Sequence, residues 1–476
     1  MTSEPVVTVS EGRLRGRRSA DGVSRFLGIP YATAPVGPAR FRLAAPAARW
    51  EGVREAHAFG PTSSQLPYPG VVQALIGSSP IAGDDVLNLN VWTPDPAGSG
   101  LPVMVWIHGG AFSRGANSHP LYDGTAFARD GVVLVSINYR LGIPGFAELP
   151  GAPSNRGLHD QVQALRWVSE NIAAFGGDPG NITVFGESAG AISIACLLCA
   201  PAAEGLFHRA ILQSGDATAV ATAPDAAWVS TEAAKILGIG PTAAEFGEMS
   251  PDQLLRTHAE VGAALAVDPD PARWGASVIT GGSGLMSMFP VVDGDLVPGV
   301  PLDVVRATGS VPVMVGTNTE EFRFFVVPLG LVSGIDAQSL PSMLARAGIS
   351  PAAVENHRPR RPDATPGDIF CELLTDRIFT EPAVRLAEVL GPSSYLYEFA
   401  WATDVMNLGA CHALELPFVF DTLAGAHALT GENPPQRLAD EMHRAWVGFA
   451  TDGDPGWPAH TPDSLPHTFD SLERRR

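Results

Sequence analysis

The chain has 476 residues, 45% of them hydrophobic, and a formal net charge of −19 from 31 basic and 50 acidic side chains. That length buries a large core, and an acidic balance without a long basic stripe excludes nucleic acid as an expected partner. No apolar run approaches the ~20 residues that span a bilayer, so no membrane association is expected.

Met1-Thr2-Ser3-Glu4-Pro5 has no basic start and no apolar core behind it, so no signal peptide is expected. The four cysteines, Cys196, Cys199, Cys371 and Cys411, are too sparse for a disulfide framework. They fit a reducing compartment, and a cytoplasmic location is expected. Cys196 and Cys199 form a CxxC inside an apolar helical pattern and read as small buried hydrophobes. The clusters Arg13, Arg15, Arg17 and Arg18, then Arg358, Arg360 and Arg361, then Arg474 to Arg476, read as solvated surface. The 42 prolines and 51 glycines are spread along the chain and mark no linker. One domain over 1–476 is expected.

In chain order, the first strong strand signal is the apolar run Val103–Ile107, followed by His108-Gly109-Gly110-Ala111-Phe112. A small-residue loop after a buried strand turns backbone N–H groups toward a substrate oxygen. The run Val132–Ile137 is the next strand. Gln161–Phe175 carries Val162, Leu165, Val168, Ile172 and Phe175 on one helical stripe, and Gly176-Gly177 ends it. Ile182–Phe185 then runs into Gly186-Glu187-Ser188-Ala189-Gly190, a Gly-x-Ser-x-Gly turn between strand and helix. Such a turn lifts the serine out of the sheet and aims helix amide dipoles at developing negative charge. Ala210–Gln213 and Val311–Val315 are further strands. Near-continuous apolar strands alternating with helices predict an α/β fold, with a mostly parallel sheet between helical layers. Residues ~220–290 and ~325–390 are helix-prone, Ala-rich and broken by prolines. They are expected as insertions roofing the sheet's C-terminal edge, where open α/β sheets place ligand sites.

A serine hydroxyl needs a base within hydrogen-bond reach, and the base needs an orienting carboxylate. After this kind of turn the order is Ser, then acid, then His. Val313–Val315 runs into Gly316-Thr317-Asn318-Thr319-Glu320-Glu321, where either glutamate serves on composition alone. Gly409-Ala410-Cys411-His412 offers a loop histidine ahead of the apolar stretch Leu414–Phe418, among twelve histidines in all.

Further motifs accompany these: Phe26-Leu27-Gly28-Ile29-Pro30-Tyr31-Ala32, Pro35-Val36-Gly37 before Arg40-Phe41, Leu87-Asn88-Leu89-Asn90-Val91-Trp92, Asn138-Tyr139-Arg140-Leu141-Gly142, Phe175-Gly176-Gly177-Asp178-Pro179, Gln213-Ser214-Gly215, Pro290-Val291-Val292-Asp293-Gly294 and Glu415-Leu416-Pro417-Phe418-Val419-Phe420. With them the chain resembles the type-B carboxylesterases, the α/β-hydrolase branch that includes bacterial p-nitrobenzyl esterases and cholinesterases, and above all its bacterial and actinobacterial members. The resemblance implies an α/β-hydrolase fold and a serine carboxylic-ester hydrolase acting through an acyl-enzyme. It implies Ser188 as nucleophile, Glu321 as acid and His412 as base. Gly110, Ala111 and Ala189 become the oxyanion donors, Gly109 the bend of the loop, and Ser214 a support for the buried acid. It also implies an Arg40–Asp84 ion pair, with aspartate where relatives carry glutamate, and the loss at Val86 of a disulfide cysteine. Pro61–Gly83 lacks the choline-binding tryptophan of cholinesterases. Relatives continue past the position of Arg476, so a C-terminal packing element is expected to be missing.

Short-chain alkyl and aryl esters are the expected substrates, with Phe112, Phe322, Met286, Met288 and Phe418 as apolar walls. No metal or cofactor is expected, and a monomer is favoured. The rival readings are a non-catalytic binding protein on the same fold, and an amide or carbamate hydrolase.

Overall fold

The computed structural model describes residues 4–78, 80–308, 311–357 and 363–470. The basic clusters around Arg358 and Arg474 lie outside these residues. The main sheet has ten strands: β1 (Arg17–Arg18), β2 (Ser24–Pro30), β3 (Asn88–Thr93), β4 (Leu101–Ile107), β5 (Val133–Ile137), β6 (Gly177–Glu187), β7 (Arg209–Gln213), β8 (Val313–Asn318), β9 (Ser394–Phe399) and β10 (His467–Phe469), in the spatial order β10-β9-β8-β7-β6-β4-β5-β3-β2-β1. From β5 through β10 every neighbouring pair is parallel, while β3 pairs antiparallel to β5, and β2 and β1 continue antiparallel. All five strands expected from apolar runs are present.

Period-two alternation divides the core between the two faces of the sheet. On β4, Val103, Val105 and Ile107 join a cluster with α1 (Arg156–Asn171) and α2 (Ala189–Leu197). Met104 and Trp106 point the other way, into a cluster with Trp446 and Phe449 of the long C-terminal helix Gln436–Asp452. Both faces are covered, which is why these strands read as continuous hydrophobic runs. Truncating a fully buried tryptophan such as Trp106 to alanine is expected to cost about 3–5 kcal/mol.

Helix α1 begins five residues before the expected Gln161. Its first turn holds Arg156, whose guanidinium is buried and donates to the carbonyls of Pro144 at 2.8 Å and Ala147 at 2.7 Å. A buried arginine satisfied by loop carbonyls leaves no hydrophobic signal in a sequence. The apolar stripe is buried as expected, and Gly176 at φ +87° closes the turn that follows.

The segment 220–290 holds the helices Ala223–Leu237 and Pro251–Val267. The second helix-rich segment includes Pro366–Thr375, a π-turn at Asp376–Thr380, and Glu381–Leu390. The last of these packs Ala383, Leu386 and Ala387 into the main core beside Val313 and Val315, so it belongs to the layer flanking the sheet and not to the roof. The Arg40–Asp84 ion pair does not form among the described residues. Arg40 instead donates to the carbonyls of Met249 at 2.5 Å and Gly247 at 3.4 Å. Aspartate is one methylene shorter than the glutamate implied at that position, and so reaches less far. All four cysteines are free and buried. No described helix is long and apolar enough to cross a membrane.

Candidate active site

The carboxyl ends of β4, β6, β7 and β8 open into one cavity of about 280 Å³, the place expected for a ligand in an open α/β sheet. After β6 the chain turns sharply at Ser188, with φ +55° and ψ −121°, a region L-residues rarely occupy. The turn is held from below, because the Ser188 amide donates to the Gln213 carbonyl at 2.8 Å. Glycine is required on either side. A Cβ on Gly186 would lie 2.6 Å from the Ile107 carbonyl oxygen, and one on Gly190 would collide with the same atom.

The loop after β4 lies against this turn. A Cβ on Gly109 would meet Glu187 Oε2 at 2.6 Å and the Glu187 carbonyl at 2.7 Å. Ala111 and Phe112 both have positive φ, +53° and +54°. Behind them, His108 stacks on Tyr139 at 4.6 Å and touches the Gly109 carbonyl at 2.8 Å. Burial lowers the His108 pKa to about 4, so it is a neutral prop. Gly110, Ala111 and Ser188 line the cavity, and Ala189 opens helix α2, whose first N–H groups have no partner within the helix.

Glu321 is fully buried. Its Oε1 accepts from Ser214 Oγ at 2.5 Å and from the Asn318 amide at 2.8 Å, and its Oε2 lies 2.6 Å from His412 Nδ1. Glu320, its equal on composition, points away and accepts from the Ala410 amide at 3.0 Å. The structure thus separates two glutamates that the sequence leaves equivalent. The far nitrogen of the ring, His412 Nε2, lies 2.9 Å from Glu187 Oε1. No hydrogen bond joins Ser188 Oγ to His412 among the described residues, although both line the same cavity. Burial alone would depress the His412 pKa, but the charges of Glu187 and Glu321 outweigh it and hold it well above the ordinary histidine range. A third buried acid, Glu415, accepts from Gln213 Nε2 at 3.0 Å and Asn318 Nδ2 at 2.7 Å. Burial, then the charges of Glu187 and Glu321, push Glu415 up to about 8, against the Asn318 amide that favours its charged form.

Comparison with known proteins agrees with this geometry. The profile described as "Carboxylesterase family" matches residues 3–470. The chain is a member of that family. It is 36% identical to para-nitrobenzyl esterase of Bacillus subtilis (strain 168), with 96% of this chain and 92% of the relative covered. It is 34% identical to phenmedipham hydrolase of Pseudarthrobacter oxydans, with 98% and 92% covered. Among solved structures, a PNB esterase superposes with a TM-score of 0.82 at 34% identity, covering 96% of this chain and 94% of that one. Carboxylesterase EST55 of Geobacillus stearothermophilus gives 0.81 at 37%, covering 98% and 96%. The chain has the α/β-hydrolase fold and is a carboxylic ester hydrolase.

In this carboxylesterase, Ser188, His412, Gly110, Ala111 and Ser214 all line the cavity, and Glu321 and Gly109 stand directly behind its wall. Of the five residues expected as apolar walls, Met286 faces the cavity. The other four do not line it. Phe112 packs on Phe146 at 4.6 Å, Phe322 on Phe325 at 5.6 Å, Phe418 on Phe399 at 5.2 Å, and Met288 lies in the main core. The apolar lining comes instead from Tyr68, Val72, Phe324, Phe325 and Phe379, among others. Sequence reading named the Glu187 position only as part of the serine turn, and it did not mark Glu415 as a site acid. A glutamate next to the serine of the Gly-x-Ser-x-Gly turn was a usable signal for the first.

Proposed function

We propose that Ser188 is the nucleophile of a serine esterase, with His412 as its base and Glu321 as the acid that fixes the imidazole. The observation carrying this reading is the 2.6 Å contact between His412 Nδ1 and Glu321 beside the cavity that Ser188 lines. In that arrangement Nδ1–H points at the carboxylate and Nε2 is left to take a proton. With an ester bound, His412 Nε2 leaves the neighbourhood of Glu187 and takes the Ser188 proton as Oγ attacks the carbonyl; such hydrogen bonds often tighten only once substrate is present. The amides of Gly110, Ala111 and Ala189 hold the oxyanion. His412 then protonates the leaving alcohol, and water releases the acyl group by the same steps.

The cavity's size and aromatic lining support short-chain alkyl and aryl esters as substrates. The whole chain acts as one catalytic unit, as a monomer on a small-molecule ester, roofed by the insertions whose Leu285, Met286 and Ile378 reach the cavity. Four free buried cysteines support a cytoplasmic location. The test is a series of p-nitrophenyl esters of increasing acyl length, assayed with the wild type and Ser188→Ala. The wild type is expected to peak at acetate to hexanoate and Ser188→Ala to be inactive. A wild-type optimum on long-chain esters would overturn the substrate class, and a Ser188→Ala rate equal to wild type would overturn the nucleophile.

A further inference from the structure

A second chamber of about 230 Å³ adjoins the catalytic cavity, and the two share Ala111, Arg114, Leu285 and Met286 as their boundary. The chambers differ in charge. The catalytic cavity carries the carboxylates of Glu187 and Asp216. Among the described residues, the second chamber has no acidic side chain in its wall and is faced by Arg114, Ser113, His258 and Ser287.

Arg114 has no carboxylate partner among the described residues. Its guanidinium sits 5.5 Å from the centre of the Tyr68 ring, and its one hydrogen bond to a side chain is a long 3.3 Å contact from Nη1 to Ser113 Oγ. Its Nε is buried with no acceptor. A cation in that condition is costly unless an anion completes it, because a buried donor without a partner forfeits its hydration. A chain with an excess of acids had ample means to supply one. Across the chamber, His258 is only 9% exposed, and neither ring nitrogen has a hydrogen-bond partner among the described residues. Burial and the nearby Arg114 charge lower its pKa to about 4, so it is a neutral imidazole with one N–H to offer. The chamber therefore presents a guanidinium, an imidazole and two hydroxyls, and no opposing charge.

From the Arg114 guanidinium without a carboxylate partner and the unpartnered His258 in a chamber that shares the wall Ala111, Arg114, Leu285 and Met286 with the cavity lined by Ser188, we infer a carboxylate-binding subsite that selects esters bearing a second, free carboxylate. The inference rests on the reading of Ser188 as nucleophile. Ala111 belongs to both cavities, so an ester held by its amide lies against the shared boundary, and a substrate arm that passes this boundary would carry its anion toward Arg114. The carboxylate belongs either to the acyl part, as in monoesters of dicarboxylic acids, or to the alcohol part, as in esters of hydroxycarboxylic acids. Glu187 and Asp216 disfavour an anion left in the catalytic cavity itself, and this sharpens selection for substrates long enough to pass the boundary.

The test compares kcat/KM for two matched pairs. One pair is the p-nitrophenyl monoester of glutaric acid against p-nitrophenyl pentanoate. The other is the butyrate ester of 4-(hydroxymethyl)benzoic acid against benzyl butyrate. Each pair is measured with the wild type and with Arg114→Met, Arg114→Lys and His258→Phe. The anionic member of at least one pair is expected to be preferred by the wild type, and Arg114→Met is expected to lower that anionic-to-neutral ratio by about tenfold or more. Arg114→Lys should keep part of the preference. The pair that responds tells which arm enters the chamber. Free glutarate should also inhibit the wild-type enzyme competitively, a measurement that needs no variant to fold. Neutral esters preferred in both pairs, a ratio unmoved by Arg114→Met, or no inhibition by glutarate would overturn the subsite while leaving the esterase intact. Absence of turnover on all four esters would instead point to failure of the reading of Ser188.

Discussion

The two sides of the proposed site are made of different material. Around Ser188 and the loop His108–Phe112, position is set by backbone: positive φ at Ala111, Phe112 and Ser188, and glycines whose missing Cβ lets chains touch. Around His412, position is set by side chains: Glu321 held by Ser214 and the Asn318 amide, and Glu415 held by Gln213 and Asn318. The first side admits no added atom at its glycines. The second depends on the charge of its buried carboxylates.

The largest effect that sharpens this contrast belongs to the side-chain half. Glu321→Gln is nearly isosteric, yet it removes the charge beside His412 Nδ1 that, in the proposed role, stabilises the imidazolium and fixes its tautomer. The kcat of a chromogenic short-chain ester is expected to fall by about 10⁴-fold, with the fold kept by circular dichroism. A loss under tenfold would mean that the acid lies elsewhere. For the backbone half the matching change is Gly109→Ala, which alters no charge. Its Cβ would press on both Glu187 Oε2 and the Glu187 carbonyl, so the loop proposed to hold the oxyanion must move. A loss of about 10²–10³-fold in kcat is expected, comparable to losing one oxyanion donor. Wild-type kcat in that variant would break the contrast.

That difference also explains how much was legible in the chain. Strands buried on both faces announce themselves as apolar runs, so the sheet and the serine turn could be read directly. Glycine-dependent turns are legible as well, because close approach admits no other residue. The choice between Glu320 and Glu321 was not legible from the residues, since both are acids at one turn and only the direction of the chain after Asn318 decides between them. Four of the five expected apolar walls do not line the cavity, for a related reason. Phe112 and Phe418 are strongly hydrophobic, and nothing in a sequence tells a core-facing ring from a cavity-facing one. The late start assigned to α1 has a third cause, a buried arginine at Arg156 whose partners are carbonyls.

The smallest expected effect concerns pH. His412 must be neutral to act as a base, and the flanking carboxylates raise its pKa. The acidic limb of kcat/KM, where activity climbs as pH rises, is therefore expected above the ordinary histidine value of about 6.5. Glu187→Gln removes one of the two charges and should move that limb to lower pH. An unmoved limb would separate Glu187 from the base.

Covalent labelling of the wild-type enzyme with an aryl phosphonate, read by intact mass and peptide mapping, tests the central claim most directly. One adduct on Ser188 is expected, formed in step with loss of ester hydrolysis and absent from Ser188→Ala. An adduct on another residue, or full labelling with hydrolysis intact, would contradict the account.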